Sequence, residues 1–142
     1  MNQLAATAQH SKVLERLRKL EFTHSPAHAD PEFEVVARLL QLCSRNLNRF
    51  RIDHFKAMKC VTDVGLHNFP KLKKLRIEHL AGAQHQDVFI HFLEQLRENQ
   101  TLTFLKVENV FGGDASQLQL LCDAVKSTRI KKLVVWLSKS NL

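Results

Sequence analysis

The sequence predicts an α/β fold in which about five strand–turn–helix units stack side by side. Three observations lead to it: an apolar six-residue pattern recurs along the chain, helical patterns lie between its copies, and the composition is globular. The chain has 142 residues, of which 44% are hydrophobic and 25% charged, as in an ordinary single domain. Stacking follows because a short strand and its helix cannot bury their apolar faces alone.

The recurring pattern has apolar residues at its first, fourth and sixth positions. It is clearest at Leu72, Leu75 and Ile77, and its copies begin at positions 17, 47, 72, 102 and 130. Consecutive copies are therefore 30, 25, 30 and 28 residues apart. Because apolar and polar residues alternate at the end of each copy, the pattern is typical of a strand with one buried face. We expect five parallel strands.

Apolar residues at helical spacing occupy the segments between the strands. The first helix is predicted after Asp30 and Pro31, an N-cap followed by proline at the first helical position. The last follows a capping-box pattern from Asp114 to Gln117. An apolar stripe from Val88 to Leu96 predicts another helix, and a weaker pattern lies between Lys56 and Asn68.

The segment from Leu93 to Val107 reads L-x-x-L-x-x-N-x-T-L-x-x-L-x-V. This pattern resembles the helix-to-strand junction of the leucine-rich repeat superfamily, in the helix-containing subtype of ribonuclease inhibitor with repeats of about 28 residues. The resemblance implies a solenoid over residues 17–142, with a parallel sheet on the concave face and helices on the convex face. Residues 1–16 are expected to form an N-terminal capping helix, since a solenoid needs its ends covered.

The chain departs from that family at one position of every repeat. The family has an asparagine three residues after the last strand leucine, where it forms a buried ladder to backbone groups. The corresponding residues in this chain are Ser25, Phe55, Leu80, Val110 and Ser138. The repeats are therefore expected to be divergent members without this ladder.

Residues between the apolar strand positions are predicted to face the concave surface, because side chains alternate along a strand. In register, they form three columns. The first is Lys19, Arg49, Lys74, Phe104 and Lys132. The second is Glu21, Arg51, Arg76, Lys106 and Val134, and the third is Thr23, Asp53, Glu78, Glu108 and Trp136.

Two columns are mostly basic, and the third is acidic in its middle. One interpretation is a solvated lattice of ion pairs, such as Arg51 with Asp53 and Arg76 with Glu78. The other is a docking surface for an acidic or mixed-charge partner, because arginine and aromatic residues are enriched in binding hot spots. The predicted partner-binding residues are Lys19, Arg49, Arg51, Lys74, Arg76, Phe104, Lys106, Lys132 and Trp136.

We find no catalytic, metal-binding or phosphate-binding motif in the sequence. His24, His54 and His79 align in the repeats, followed by Asn109, but no carboxylate or cysteine completes a ligand set at a defined spacing. We therefore expect no metal site. No nucleophile-elbow, zinc-protease or phosphate-loop motif occurs, and the Gly112–Gly113 pair indicates a plain turn. Neither an enzyme nor a bound cofactor is expected.

Cysteine usage points to an intracellular protein, cytoplasmic or nuclear. The chain has three cysteines, Cys43, Cys60 and Cys122, which is an odd number, and a secretory signal is not recognised. The apolar neighbours of these cysteines favour buried thiols. A mitochondrial presequence remains an alternative, because no acidic residue precedes Glu15. No membrane span is expected, since the longest apolar run, Leu133–Leu137, is far shorter than the roughly 20 residues required.

Two functions remain open at this point. The first is a non-catalytic protein–protein interaction module, a scaffold or adaptor that binds through the concave sheet. The second is an RNA-binding module, favoured by a pI of 9.6 and by the basic cluster between Lys71 and Arg76. We also expect the apolar strand at 130–137 to be an edge that a second copy, a partner subunit or a continuation of the chain covers.

Overall fold

The structure is a computed structural model that describes residues 15–23, 33–53, 57–78, 86–108 and 115–136. The strands are β1 (Lys19–Thr23), β2 (Arg49–Asp53), β3 (Lys74–Glu78), β4 (Phe104–Glu108) and β5 (Lys132–Trp136). The helices are α1 (Phe33–Cys43), α2 (Ala57–Val64), α3 (Gln86–Glu98) and α4 (Ala115–Lys126). The sheet has the order β1-β2-β3-β4-β5. All neighbouring strands are parallel, so the predicted α/β fold with a five-stranded parallel sheet is confirmed.

The strand register follows the repeat pattern. The fourth-position residues of consecutive repeats are direct neighbours: Leu20, Phe50, Leu75, Leu105 and Leu133. A slip of one residue would move every apolar side chain of a strand to the other face. The apolar alternation therefore selects this register.

The core lies between one face of the sheet and the helix layer. Inward residues of the central strands are at most 2% exposed: Phe50, Ile52, Leu75, Ile77, Leu105 and Val107. The helices contribute residues three or four positions apart, such as Val36, Leu40 and Cys43 of α1. Each helix contacts the next one along the chain. The opposite face of the sheet, which we call the open face, carries the polar columns.

Burial decreases toward the two outer strands of the described sheet. Leu20 in β1 and Leu133 and Val135 in β5 are only partly buried, and Trp136 is 58% exposed. β5, at Lys132–Trp136 within the predicted strand at 130–137, is thus an edge in the part of the chain that the structure describes. Its coverage by another chain segment stays a prediction.

Main-chain hydrogen bonds join each repeat to the next just before the strands begin. The Arg18 carbonyl accepts the N–H groups of Asn48 (2.7 Å) and Arg49 (2.9 Å). The carbonyls of Asn48, Lys73 and Thr103 each accept two N–H groups of the following repeat in the same way, at 2.8–3.2 Å. We call this arrangement the shared-carbonyl link. It ties neighbouring repeats together without using a side chain.

The helical pattern between Lys56 and Asn68 is divided in the structure. Helix α2 ends at Val64, and a 3-10 turn follows at Leu66–Asn68. Gly65 separates them with φ of +92°, where a Cβ atom would lie 2.6 Å from Cε1 of His67. Such a positive φ favours glycine. The spacing of 25 residues between the copies at 47 and 72 goes with a shorter helix, since α2 has 8 residues and the other three helices have 11 to 13.

A buried asparagine closes the junction between α3 and β4. Asn99 is 8% exposed, and its Oδ1 accepts the N–H groups of Thr101 (3.0 Å) and Leu102 (2.8 Å). Thr101 and Leu102 lie between α3 and β4, where neither the helix nor the strand provides an acceptor for their N–H groups. The Asn99 side chain supplies that acceptor.

Several sequence-based expectations concern residues outside the described ranges. They are positions 1–14 of the capping helix, the capping residues Asp30, Pro31 and Asp114, the aligned residues His24, His54, His79 and Asn109, and Gly112–Gly113. Within the described ranges, none of the helices has the length and apolar character needed to cross a bilayer.

Candidate functional site

The strand register of the open face aligns the predicted columns. Neighbouring strands of a sheet lie about 4.8 Å apart, so residues that pair in the register are close neighbours across the sheet. The first column pairs as Lys19, Arg49, Lys74, Phe104 and Lys132. The second pairs as Glu21, Arg51, Arg76, Lys106 and Val134. In the third, Thr23, Asp53 and Glu78 pair across β1–β3, and Glu108 pairs with Trp136.

Phe104 lies at the centre of a group of cations, which we call the Phe104 cluster. The charged ends of Lys74, Arg76 and Lys132 are 5.9, 5.6 and 5.8 Å from the centroid of its ring. Cations within about 6 Å of a ring centroid are attracted by its quadrupole. The ring therefore offsets part of the repulsion among three like charges, and a cationic patch with an apolar centre results.

Lys106 forms an ion pair on the open face and is only slightly exposed. Its Nζ is 2.9 Å from Oε1 of Glu108, and the two side chains are only 17% and 13% exposed. The same Nζ lies 4.4 Å from the centroid of the Trp136 ring. The charge of Lys106 is thus compensated within the protein. Its role in partner binding stays a prediction.

Two ion pairs join residues of the same strand on the open face. Besides Lys106 with Glu108, Lys19 pairs with Glu21 at 3.2 Å, but these two side chains are 61% and 46% exposed. Such an exposed pair contributes at most about 1 kcal/mol. The side chains of Asp53 and Glu78 lie outside the description, so the pairs proposed for Arg51 and Arg76 stay predictions.

A shallow groove crosses the open face over β1–β3. Its volume is about 90 Å³, whereas small-molecule pockets usually measure about 300–1,000 Å³. Its lining is Lys19, Leu20, Glu21, Arg49, Phe50, Arg51, Lys74 and Arg76. The groove is large enough for a side chain of a macromolecular partner and too small for a typical metabolite.

A second basic cleft lies at the edge of the sheet where the strands begin, and the sequence reasoning missed it. Its volume is about 400 Å³. We call it the edge cleft, and its lining is Arg16, Arg18, Asn46, Asn48 and Lys71. The signal was present in the repeat pattern, because these residues directly precede or follow the first apolar residue of a copy.

The three cysteines differ in burial. Cys43 and Cys60 are 1% exposed, as predicted, whereas Cys122 is only partly buried. On α4 the core positions are Leu121 and Ala124, so Cys122 lies beside the buried stripe rather than within it. Desolvation by burial raises the pKa of the Cys43 thiol to about 11.

We expect iodoacetamide to alkylate Cys122 first in the native protein. At pH 8 a thiol with a pKa near 11 is about 0.1% thiolate, the reactive form, and buried Cys43 is also inaccessible. Peptide mass spectrometry after short labelling, with a urea-unfolded control, measures the order. Labelling of native Cys43 as fast as Cys122 would contradict it.

The raised pKa of Cys43 also predicts that the free energy of unfolding falls as the pH rises from 9 to 11, because the thiol ionises first in the unfolded chain.

Comparison with models of protein families, with curated proteins and with solved structures finds no match to this chain.

Proposed function

We propose that this chain is a divergent leucine-rich repeat protein of the ribonuclease-inhibitor-like subtype and acts as a non-catalytic interaction module. Support for the repeat family comes from the parallel sheet in chain order, from helices that contact each other in sequence, and from a shared-carbonyl link at each strand junction. Stacked repeats of this kind offer an extended surface for recognition.

The observation that carries the proposed function is the combination of the Phe104 cluster with exposed Trp136. Trp136 is 58% exposed, and Lys106 lies against its ring. Exposed apolar surface of this kind is unfavourable in water and well suited to be buried against a partner. Tryptophan and arginine are also the residues that dominate binding energy in protein interfaces. We therefore place the centre of the interface on β4 and β5.

Charge selects an acidic or mixed-charge protein as the partner. The chain carries a formal net charge of +7, and the Phe104 cluster concentrates three cations on one face. A carboxylate side chain of the partner would enter the groove over β1–β3, where Arg49, Arg76 and Lys74 line the wall. Complementary charge of this kind raises the association rate and fixes the orientation of the partner.

RNA is the second candidate, and the Phe104 cluster also favours it. Single-stranded nucleic acids bind where bases stack on an aromatic ring and cations contact the phosphates. Against RNA, Lys106 is already paired with Glu108, and the chain has no tyrosine. A protein partner accounts better for an acidic residue within the basic face.

The test is affinity capture from an extract of cells that express the protein, with and without nuclease, on wild type and on variants. We expect a protein partner that nuclease does not remove and that Trp136→Ala and Phe104→Leu lose. The leucine keeps the apolar bulk and removes the ring quadrupole. Loss of a hot-spot residue costs about 2 kcal/mol, or roughly 30-fold in affinity.

The matched control is Arg97→Ala, since this arginine is exposed on α3, away from the open face. It should retain the partner. Titration of the purified partner can be followed by fluorescence, because Trp136 is the only tryptophan and no tyrosine is present. A retained molecule that disappears with nuclease, or that all variants keep, would overturn the proposed protein interface.

A further inference from the structure

We infer that the edge cleft is a binding site for an oligophosphate group, separate from the open face. Its five lining residues supply three cations and two amides, and no carboxylate side chain. A site of this composition attracts an anion and offers hydrogen-bond donors to it.

The repeat structure positions the cleft. Arg16 and Arg18 flank Leu17, Asn46 and Asn48 flank Leu47, and Lys71 directly precedes Leu72. Leu47 and Leu72 are 0% exposed, so they anchor the backbone beside the polar residues. Because the repeats stack in register, three loops present their side chains at the same edge of the sheet.

Hydrogen bonds hold the polar side chains of these loops in place. Nζ of Lys71 donates to Oδ1 of Asn46 at 3.0 Å, while Nδ2 of Asn46 donates to the carbonyl of Glu15. Nδ2 of Asn48 is 3.5 Å from the Lys71 carbonyl, at the limit of a hydrogen bond. The loops before β1, β2 and β3 are thereby connected before any ligand arrives, which reduces the entropy lost on binding.

The positive charges of the cleft have no carboxylate partner within the part of the chain that the structure describes. None of the ion pairs there involves Arg16, Arg18 or Lys71. Guanidinium groups bind phosphate through two parallel N–H bonds, and lysine adds a point charge. Two arginines and one lysine therefore match a ligand with several phosphate oxygens.

The volume of the cleft indicates more than one phosphate group. At about 400 Å³ it lies within the range of small-ligand sites, about 300–1,000 Å³. Its lining contains no aromatic ring on which a base could stack. We therefore expect the phosphate chain itself to be recognised, so that inorganic tripolyphosphate binds about as tightly as a nucleoside triphosphate.

The experiment is calorimetric titration of the full chain with sodium tripolyphosphate and, separately, with ATP, at fixed ionic strength. We expect one site for each ligand, and Arg16→Ala or Arg18→Ala should weaken binding by about tenfold. Arg18→Ala should keep the fold, because the shared-carbonyl link uses the carbonyl of this residue and not its side chain. Circular dichroism confirms folding of each variant.

Two control variants separate this site from general attraction to a basic protein. Arg97→Ala removes the same charge from α3 and should leave the affinity unchanged. The double variant Arg49→Ala, Arg76→Ala removes two cations of the open face and should also retain binding. Equal weakening by either control, or no measurable binding of tripolyphosphate, would overturn the inference. These outcomes are independent of whether the open face binds a protein.

Discussion

Leu75→Ala should destabilise the protein by about 2–5 kcal/mol, whereas Arg76→Ala beside it should change stability by less than about 0.5 kcal/mol. The two residues are neighbours in β3, but Leu75 is 0% exposed and Arg76 lies exposed on the open face. Truncation of the leucine removes buried apolar surface and leaves a cavity in a core that neighbouring repeats share. Truncation of the arginine removes only surface contacts.

Urea unfolding followed by circular dichroism measures both free energies. The pair of variants also separates stability from function, because Arg76→Ala should weaken the proposed partner interaction while the fold persists. A loss of stability for Arg76→Ala comparable to that of Leu75→Ala would show that the basic columns have a structural role. The open face would then be the ion-pair lattice that the sequence also allowed.

Asn99→Ala should cost about 2–4 kcal/mol, since it leaves the N–H groups of Thr101 and Leu102 without their acceptor. The first of these groups is partly buried and the second is buried. Asn99→Asp is the matched control, because a carboxylate oxygen can accept both hydrogen bonds. We expect the loss of stability in Asn99→Asp to be at most half of that in Asn99→Ala.

Thermal unfolding gives the stability difference, and hydrogen exchange shows its location. In Asn99→Ala the amides of Thr101 and Leu102 should exchange faster than those of the central strand residues Leu75 and Ile77. Equal destabilisation by alanine and aspartate would mean that the fit of the asparagine side chain, and not its acceptor oxygen, closes the junction.

The sheet could be predicted from the sequence because each strand repeats the same simple alternation. Once Leu75 and Ile77 are assigned to the core, Lys74 and Arg76 must face the other way, and the same reasoning applies to each copy of the pattern. The position of α3 was equally accessible, since its apolar stripe from Val88 to Leu96 has strict helical spacing.

Features that depend on distances between neighbouring side chains were harder to predict from the sequence. The columns placed Lys106 beside Glu108 and Trp136, but only atomic positions show that its charge is compensated there. Gly65 weakens the helical pattern between Lys56 and Asn68, but the sequence alone does not divide the pattern there, because an isolated glycine is tolerated in a helix. Its positive φ, with His67 close to the missing Cβ, decides that point.

The shared-carbonyl link makes this protein suitable for lengthening. Each link is formed by a main-chain carbonyl of one repeat and two main-chain N–H groups of the next, so its formation does not depend on the side chains at the junction. A duplicated unit spanning positions 74–103 would begin and end at equivalent link positions and could join its neighbours through the same bonds. The repeat is therefore a transferable building block, and open faces of different size could be constructed from it.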